Sequence, residues 1–378
     1  MNKKYDIGAF IYPAYTGDEL RSRIFWPDGI GEWETIKKTQ PKFNGHKWPR
    51  KPLWGYQNEA DPYVMEMQIN AAADHGVNVF IYDWYWYDRR PFLENCLNDG
   101  YLKAKNNDRV KFYLMWALHD VPYLWDIRNS HLEGVKGDTI LWRCAVDRNE
   151  FEIVANRMIE RYFKHPSYYR IDGKPVLMLY GFARLMNGLG GATQTRNALD
   201  WFREQCVKAG FGGLHIQLDM LYDWTFDISG VDAGGAVDSI DIEALIKEIA
   251  PDSITHYQFC HFADMKNDYL DILAHAKKEW KRLESTYDIP YFPHISLGWD
   301  NNPRFRDFKD TITTNNTPEN IKKAFRAAKE YVDAHPKQPP LITINSWNEW
   351  TEASYLQPDD LYGYGYLEAL KEVFLPEV

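Results

Sequence analysis

Apolar runs of strand length recur along the chain, most of them separated by stretches of helical periodicity. They cover 5–12, 77–82, 110–116, 175–180, 214–218, 253–257, 291–296 and 341–345. Near-continuous apolar runs fit parallel strands buried on both faces. The intervening helices carry their own start signals. Asp61-Pro62 supplies an N-cap and a proline at N1 before a periodic stretch over 64–73 that stops at Gly76. Thr317-Pro318 does the same for a stretch reaching Ala334, and His335-Pro336 ends it. Helices are also expected over 151–163, 197–208 and 269–283.

Eight strands alternating with helices predict a single (β/α)8 TIM barrel of the α/β class over 1–378. A doubly wound sheet would show a glycine-rich phosphate loop after its first strand, where Tyr12-Pro13-Ala14-Tyr15 stands instead. Gly188-Leu189-Gly190-Gly191-Ala192 reads as a loop. Two long aromatic-rich insertions, 13–60 and 120–147, follow strands, so they predict walls on the C-terminal, catalytic face.

Composition narrows the partners. A net charge of -10 without a basic stretch argues against nucleic acid. Aromatic content is the outlier, at 16%, with 15 Trp, 25 Tyr and 19 Phe. Sugars present apolar C–H faces that stack on such rings, although a Trp-rich core fits the same figure. Cys96, Cys144, Cys206 and Cys260 are far apart, which excludes a zinc knuckle or a disulfide scaffold. The basic start is followed by too short an apolar run for a secretory leader, and no run reaches membrane length. As it stands the chain reads as cytoplasmic, and as periplasmic or extracellular if a leader has been removed from it.

Catalytic residues of a barrel sit at or beyond strand C-termini. The last run leads into Ser346-Trp347-Asn348-Glu349-Trp350-Thr351-Glu352. Two carboxylates three apart share one side of a turn, and neighbouring indoles raise a carboxyl pKa. One proton donor beside one anionic partner is what glycosidic cleavage needs. An isolated Glu-x-x-Glu more often caps a helix; at the end of a barrel's last strand the catalytic reading prevails. Other strand ends pair a ring with a polar group: Asp83-Trp84, Trp116 to His119, His256-Tyr257, and Trp299-Asp300 to Arg304. With Asn348 and Trp350 these are the expected sugar-binding residues. No histidine spacing matches a zinc site, and no Walker loop or G-x-S-x-G elbow occurs, so neither metal nor cofactor is expected.

Asn348-Glu349-Trp350-Thr351-Glu352, followed by Tyr355-Leu356-Gln357-Pro358-Asp359 and Tyr362 to Leu367, resembles the C-terminal signature of the WbsX-like proteins. These are related to glycoside hydrolase family 99, the endo-α-1,2-mannosidase family. Trp299 to Arg304 and the stretch from Gly55-Tyr56 to Trp86 are similar to the same group. The resemblance implies a barrel and a retaining, metal-free mechanism on a manno-configured α-glycoside, an α-mannoside or α-L-rhamnoside. Carried over, Glu349 deprotonates the sugar 2-hydroxyl, which attacks C1 to form a 1,2-anhydro sugar. Glu352 protonates the leaving oxygen and then activates water. Thr351 and Ala353 stand where the mannosidases read His and Gly, departures that leave the motif's scaffold intact and bear on mannan specificity. The expected partner is an oligosaccharide or polysaccharide. Two other classes stay open: a transferase of polysaccharide biosynthesis, and a non-catalytic carbohydrate-binding barrel.

Overall fold

The structure, a computed structural model, describes residues 5–17, 19–132, 140–220 and 242–375. All eight expected runs form parallel strands: β1 Asp6–Ile11, β2 Val79–Tyr87, β3 Lys111–Ala117, β4 Lys174–Tyr180, β5 His215–Asp219, β6 Ser253–Thr255, β7 His294–Ser296 and β8 Leu341–Asn345. They pair in the order β6-β5-β4-β3-β2-β1-β8-β7. The two ends meet across Ile254, whose N–H donates to Pro290 O at 2.9 Å while the Phe292 N–H donates to Ile254 O at 2.9 Å. The sheet is thus a nearly closed barrel. β2 runs on to Tyr87 because Arg90–Phe92 folds back on it antiparallel, which pairs backbone groups beyond the barrel rim.

The helix start signals act as expected. Asp61 accepts from the Tyr63 N–H at 2.9 Å to cap Pro62–Asp74, and Thr317 caps Pro318–Ala334. The glycine-rich 188–192 segment is not a plain loop. It is the junction between helix Ala183–Leu189 and helix Ala192–Lys208. Gly190 (φ 93°) and Gly191 (φ 115°) stand consecutively in left-handed backbone, which breaks one helix and starts the next. Part of the second insertion, 133–139, lies outside the described residues. Among the described residues no helix is long and apolar enough to cross a membrane.

Alternation decides which strand residues enter the barrel. Met115 and Ala117 of β3 point into the barrel, and Trp116 between them points to the helix layer. The interior below the rim is polar. Tyr113 donates to Gln217 at 3.0 Å, and His294 bridges Thr343 and Ser296 at 3.0 Å each.

Candidate active site

A pocket of about 330 Å³ opens at the C-terminal end of the barrel. Asp83 and Tyr85 enter it from β2, Tyr180 from the end of β4, and Tyr257 from just beyond β6. Tyr12 follows β1, and Leu124 and Trp125 come from the insertion after β3. Glu349 and Glu352 arrive from beyond β8. Asn348–Glu349 pairs antiparallel with Ser354–Tyr355, and Trp350–Glu352 makes a single 3-10 turn between them. Residues three apart eclipse in such a turn, which puts both carboxyl groups on its pocket side. Ala353 closes the turn in left-handed backbone (φ 54°), the conformation glycine adopts most readily. The Ser346 hydroxyl accepts from the Glu349 N–H at 2.6 Å and donates to Ser354 O at 2.7 Å, pinning the hairpin from below.

One guanidinium organises the acids. Arg304 Nη2 donates to Glu349 Oε1 at 2.7 Å and Nη1 to Glu352 Oε1 at 2.6 Å, and Nε lies 3.7 Å from Glu32 Oε1. The 3-10 turn Asn302–Arg304 presents this side chain. Glu32 is the residue that the sequence did not single out. It sits in the first insertion, where its N–H donates to Ala14 O at 3.0 Å. That approach requires Gly31 (φ 60°), because a Cβ there would lie 1.9 Å from Ala14 O. The Thr351 hydroxyl spans Glu32 Oε2 and Glu349 Oε1 at 3.2 and 3.3 Å. Asp83 is a fourth carboxyl, accepting from the Tyr257 hydroxyl at 3.0 Å.

Burial raises the pKa of all four acids. For Glu349 the rise is large, and the facing Glu352 adds to it while Arg304 opposes it. Glu352 and Glu32 are raised by burial and held back by Arg304. Asp83 is raised well above the ordinary aspartate value by burial. Three of the acids, Glu32, Glu349 and Glu352, face one guanidinium, and their titrations are coupled through it. Glu352 Oε2 and Asp83 Oδ1 are buried without a hydrogen-bond partner, leaving two acceptor positions open. Burial also lowers the pKa of His119.

Of the expected site residues, the pocket brings together Glu349, Glu352, Asp83, His119, Tyr257 and Arg304. Seven others do not line it. Trp84 alternates outward, donates to Glu94 at 2.8 Å and stacks beside Trp86. Trp116 packs on Phe151 of helix Arg148–Met158. His256 turns to Tyr291, 3.0 Å away, and Trp299 packs against the core. Asp300 accepts from Asn302 at 2.7 Å and meets His46 at 2.7 Å, so it braces the loop that carries Arg304. Asn348 bonds the Tyr12 backbone through both its amide atoms, and Trp350 stacks on Tyr355 at 3.9 Å. For Trp84 and Trp116 the physical cause is shared: a ring next to a pocket-facing residue on a strand points to the opposite face. Among the described residues no group of three His, Cys, Asp or Glu side chains is arranged to hold a metal ion.

His256 gives a prediction of its own. Burial lowers its pKa to about 3. Between the unfolded value near 6.5 and that value, the unfolded chain binds a proton that the folded chain refuses. Wild-type stability attributable to this group is therefore present above pH 6.5 and is lost as pH falls. His256→Phe removes the effect. Its stability relative to wild type should improve by about 2 kcal/mol between pH 7.5 and pH 5 in paired urea titrations. An unchanged difference would mean that His256 is charged in the fold.

A family described as Glycosyltransferase WbsX matches residues 8–370. A protein designated WxcX, from two strains of Xanthomonas campestris pv. campestris, is 27% identical over 352 residues, 92% of this chain and 46% of that protein. The chain thus spans about half the length of these relatives. Among solved structures, the GH99 endo-alpha-mannosidase from Bacteroides thetaiotaomicron superposes with a TM-score of 0.59 at 13% identity, covering 98% of this chain and 96% of that one. A glycoside hydrolase-like protein superposes at 0.57 and 17% identity, covering 99% and 94%. At these identities the likeness is one of fold.

Proposed function

The chain belongs to the WbsX glycosyltransferase family, and from that membership and the chemistry of its pocket we propose that it is a retaining glycosidase acting on a manno-configured α-glycoside, an α-mannoside or α-L-rhamnoside, within an oligosaccharide or polysaccharide. The barrel is the catalytic unit. The observation that carries the reading is the convergence of Glu349 and Glu352 on one guanidinium inside an aromatic, acidic pocket.

The chemistry runs in two balanced steps. Glu349 takes the proton of the 2-hydroxyl as O2 attacks C1. The bond from C1 to the leaving oxygen breaks, and Glu352 gives that oxygen its proton. Glu352, now a carboxylate, takes a proton from water as the water oxygen attacks C1. The C1–O2 bond of the anhydro ring opens and Glu349 returns its proton to O2. Each step inverts C1, so configuration is retained overall. Attack by O2 requires it to stand trans to the leaving group, as it does in α-mannosides and α-L-rhamnosides. These roles require Glu349 ionised and Glu352 protonated when the substrate is bound.

Nucleotide-sugar transfer is the rival reading, suggested by the family's own description. A diphosphate needs unpaired positive charge. Here Arg304 is already engaged by two carboxylates, and Glu32 and Asp83 add further negative potential. A substrate panel separates the two. Aryl α-D-mannosides or α-L-rhamnosides should be cleaved, and aryl α-glucosides, whose O2 is cis to the leaving group, should not. Nucleoside-diphosphate sugars should neither bind nor donate. Transfer from a nucleotide sugar, with every aryl glycoside untouched, would overturn the proposal.

A further inference from the structure

Behind the catalytic turn, away from Arg304, lies a second carboxyl group that the proposed chemistry does not use. Glu59 lies at the end of the first insertion and is 1% exposed. Its oxygens face neutral donors. Oε2 accepts from Asn348 Nδ2 at 2.7 Å and from the Cys96 thiol at 3.9 Å. Oε1 accepts from Gln357 Nε2 at 2.8 Å and Gln68 Nε2 at 3.1 Å. Gln357 in turn accepts from the Trp350 indole at 2.6 Å, and Gln68 from the Trp347 indole at 2.8 Å. Asn348 immediately precedes Glu349, and Trp350 immediately follows it. One carboxyl group therefore grips both flanks of the turn that carries the acid pair.

We infer that Glu59 is a positioning residue for Glu349 and Glu352, holding their turn from behind while Arg304 holds their carboxyl groups from the pocket. The inference rests on the roles proposed for those two residues. Its physical basis is the one-sidedness of the hub: a carboxylate offers acceptors to every neighbour, and neither an amide nor the protonated acid can. Burial raises the Glu59 pKa to about 7 against these four donors, so the test is run above neutral pH. In Glu59→Gln the new NH2 faces Asn348 on one side or Gln357 and Gln68 on the other, all of them donors. A buried donor without an acceptor forces its neighbours to move. Reacting groups displaced by about 1 Å can lose about 10²-fold in rate.

The test is a residue swap. Glu59→Gln should lower kcat about 10–100-fold with KM within about threefold, since the pocket lining is untouched. The double variant Glu59→Gln with Gln357→Glu returns an acceptor to the hub, and the carboxyl group it places at position 357 still accepts from Trp350. It should recover part of the lost kcat, because the carboxyl group at position 357 also faces Gln68 Oε1, which in the wild type accepts from Gln357 Nε2 at 3.1 Å. A second readout needs no substrate. The Trp350 indole N–H resonance, assigned through Trp350→Phe, should shift in Glu59→Gln and move back in the swap. Unchanged kcat and an unmoved indole signal would overturn the inference. So would a loss of kcat that the swap leaves in place while restoring the melting temperature. If the wild-type protein cleaves no α-manno-configured substrate, the functional reading fails. The indole signal then still decides whether Glu59 sets the turn.

Discussion

Replacing Glu349 with Gln should remove nearly all turnover on every substrate, whereas Glu352→Gln should lose heavily only where the leaving group is poor. The difference follows from what each proton does. An amide at 349 cannot accept the 2-hydroxyl proton, and an un-ionised hydroxyl is a weak nucleophile whatever departs. An amide at 352 cannot donate a proton. A natural sugar alcohol needs that donation, and an activated nitrophenolate does not. General acid–base assistance is worth roughly 10²–10⁴-fold. Glu352→Gln should therefore lose about that much on a disaccharide and far less on an aryl glycoside in its first step. Paired kcat/KM values for the two substrate types measure it. The opposite pattern would exchange the roles of the two residues.

The second large effect belongs to Arg304. It is the guanidinium shared by Glu349, Glu352 and Glu32. In Arg304→Met these buried acids lose their counter-charge and their pKa values rise further. A carboxyl group whose folded pKa exceeds the unfolded one favours folding below the unfolded value, near 4.5, and loses that contribution as pH rises through the folded value. The variant should therefore approach wild-type stability near pH 5 and fall about 3–5 kcal/mol short at pH 8, the usual consequence of stripping one partner from a buried ionic group. Activity should move with it. With less ionised Glu349 at neutral pH, the acidic limb of the pH–rate profile shifts upward. Arg304→Lys should fall between the two, because an ammonium cannot make the two parallel N–H bonds of the guanidinium fork. Parallel denaturation curves at the two pH values check the sign, and a pH-independent loss would exclude the electrostatic account.

How much of this was legible differs by level. The eight strands were, because buried parallel strands are written as apolar runs, and β8 falls on the expected 341–345. The position of Glu349 and Glu352 beyond that strand was also legible, since the last apolar run leads directly into them. The facing of individual rings was not. Trp84 and Trp116 each adjoin a pocket residue, and period-two alternation sends both outward. Applying the alternation to 83–85 would have selected Asp83 and Tyr85 and excluded Trp84. Glu32 was hidden for a different reason. It is brought in by an irregular insertion whose path depends on Gly31 and on a bond to Ala14, and no periodic pattern encodes such a path. Tyr12, directly after β1, obeys the same strand-end rule as the residues that were selected and could have been found by it.

The central claim is that the sugar's own 2-hydroxyl is the nucleophile, and an aryl α-glycoside lacking that group tests it most directly. Removing O2 eases formation of positive charge at C1, so a mechanism that does not use the hydroxyl would turn over the 2-deoxy compound readily. Participation predicts the reverse. The wild-type enzyme should cleave the 2-hydroxy substrate with retention, seen in the anomeric proton of the first-formed product by NMR. It should cleave the 2-deoxy substrate slower by roughly 10²–10⁴-fold. Rapid, retaining cleavage of the 2-deoxy glycoside would contradict the account and make Glu349 a direct nucleophile.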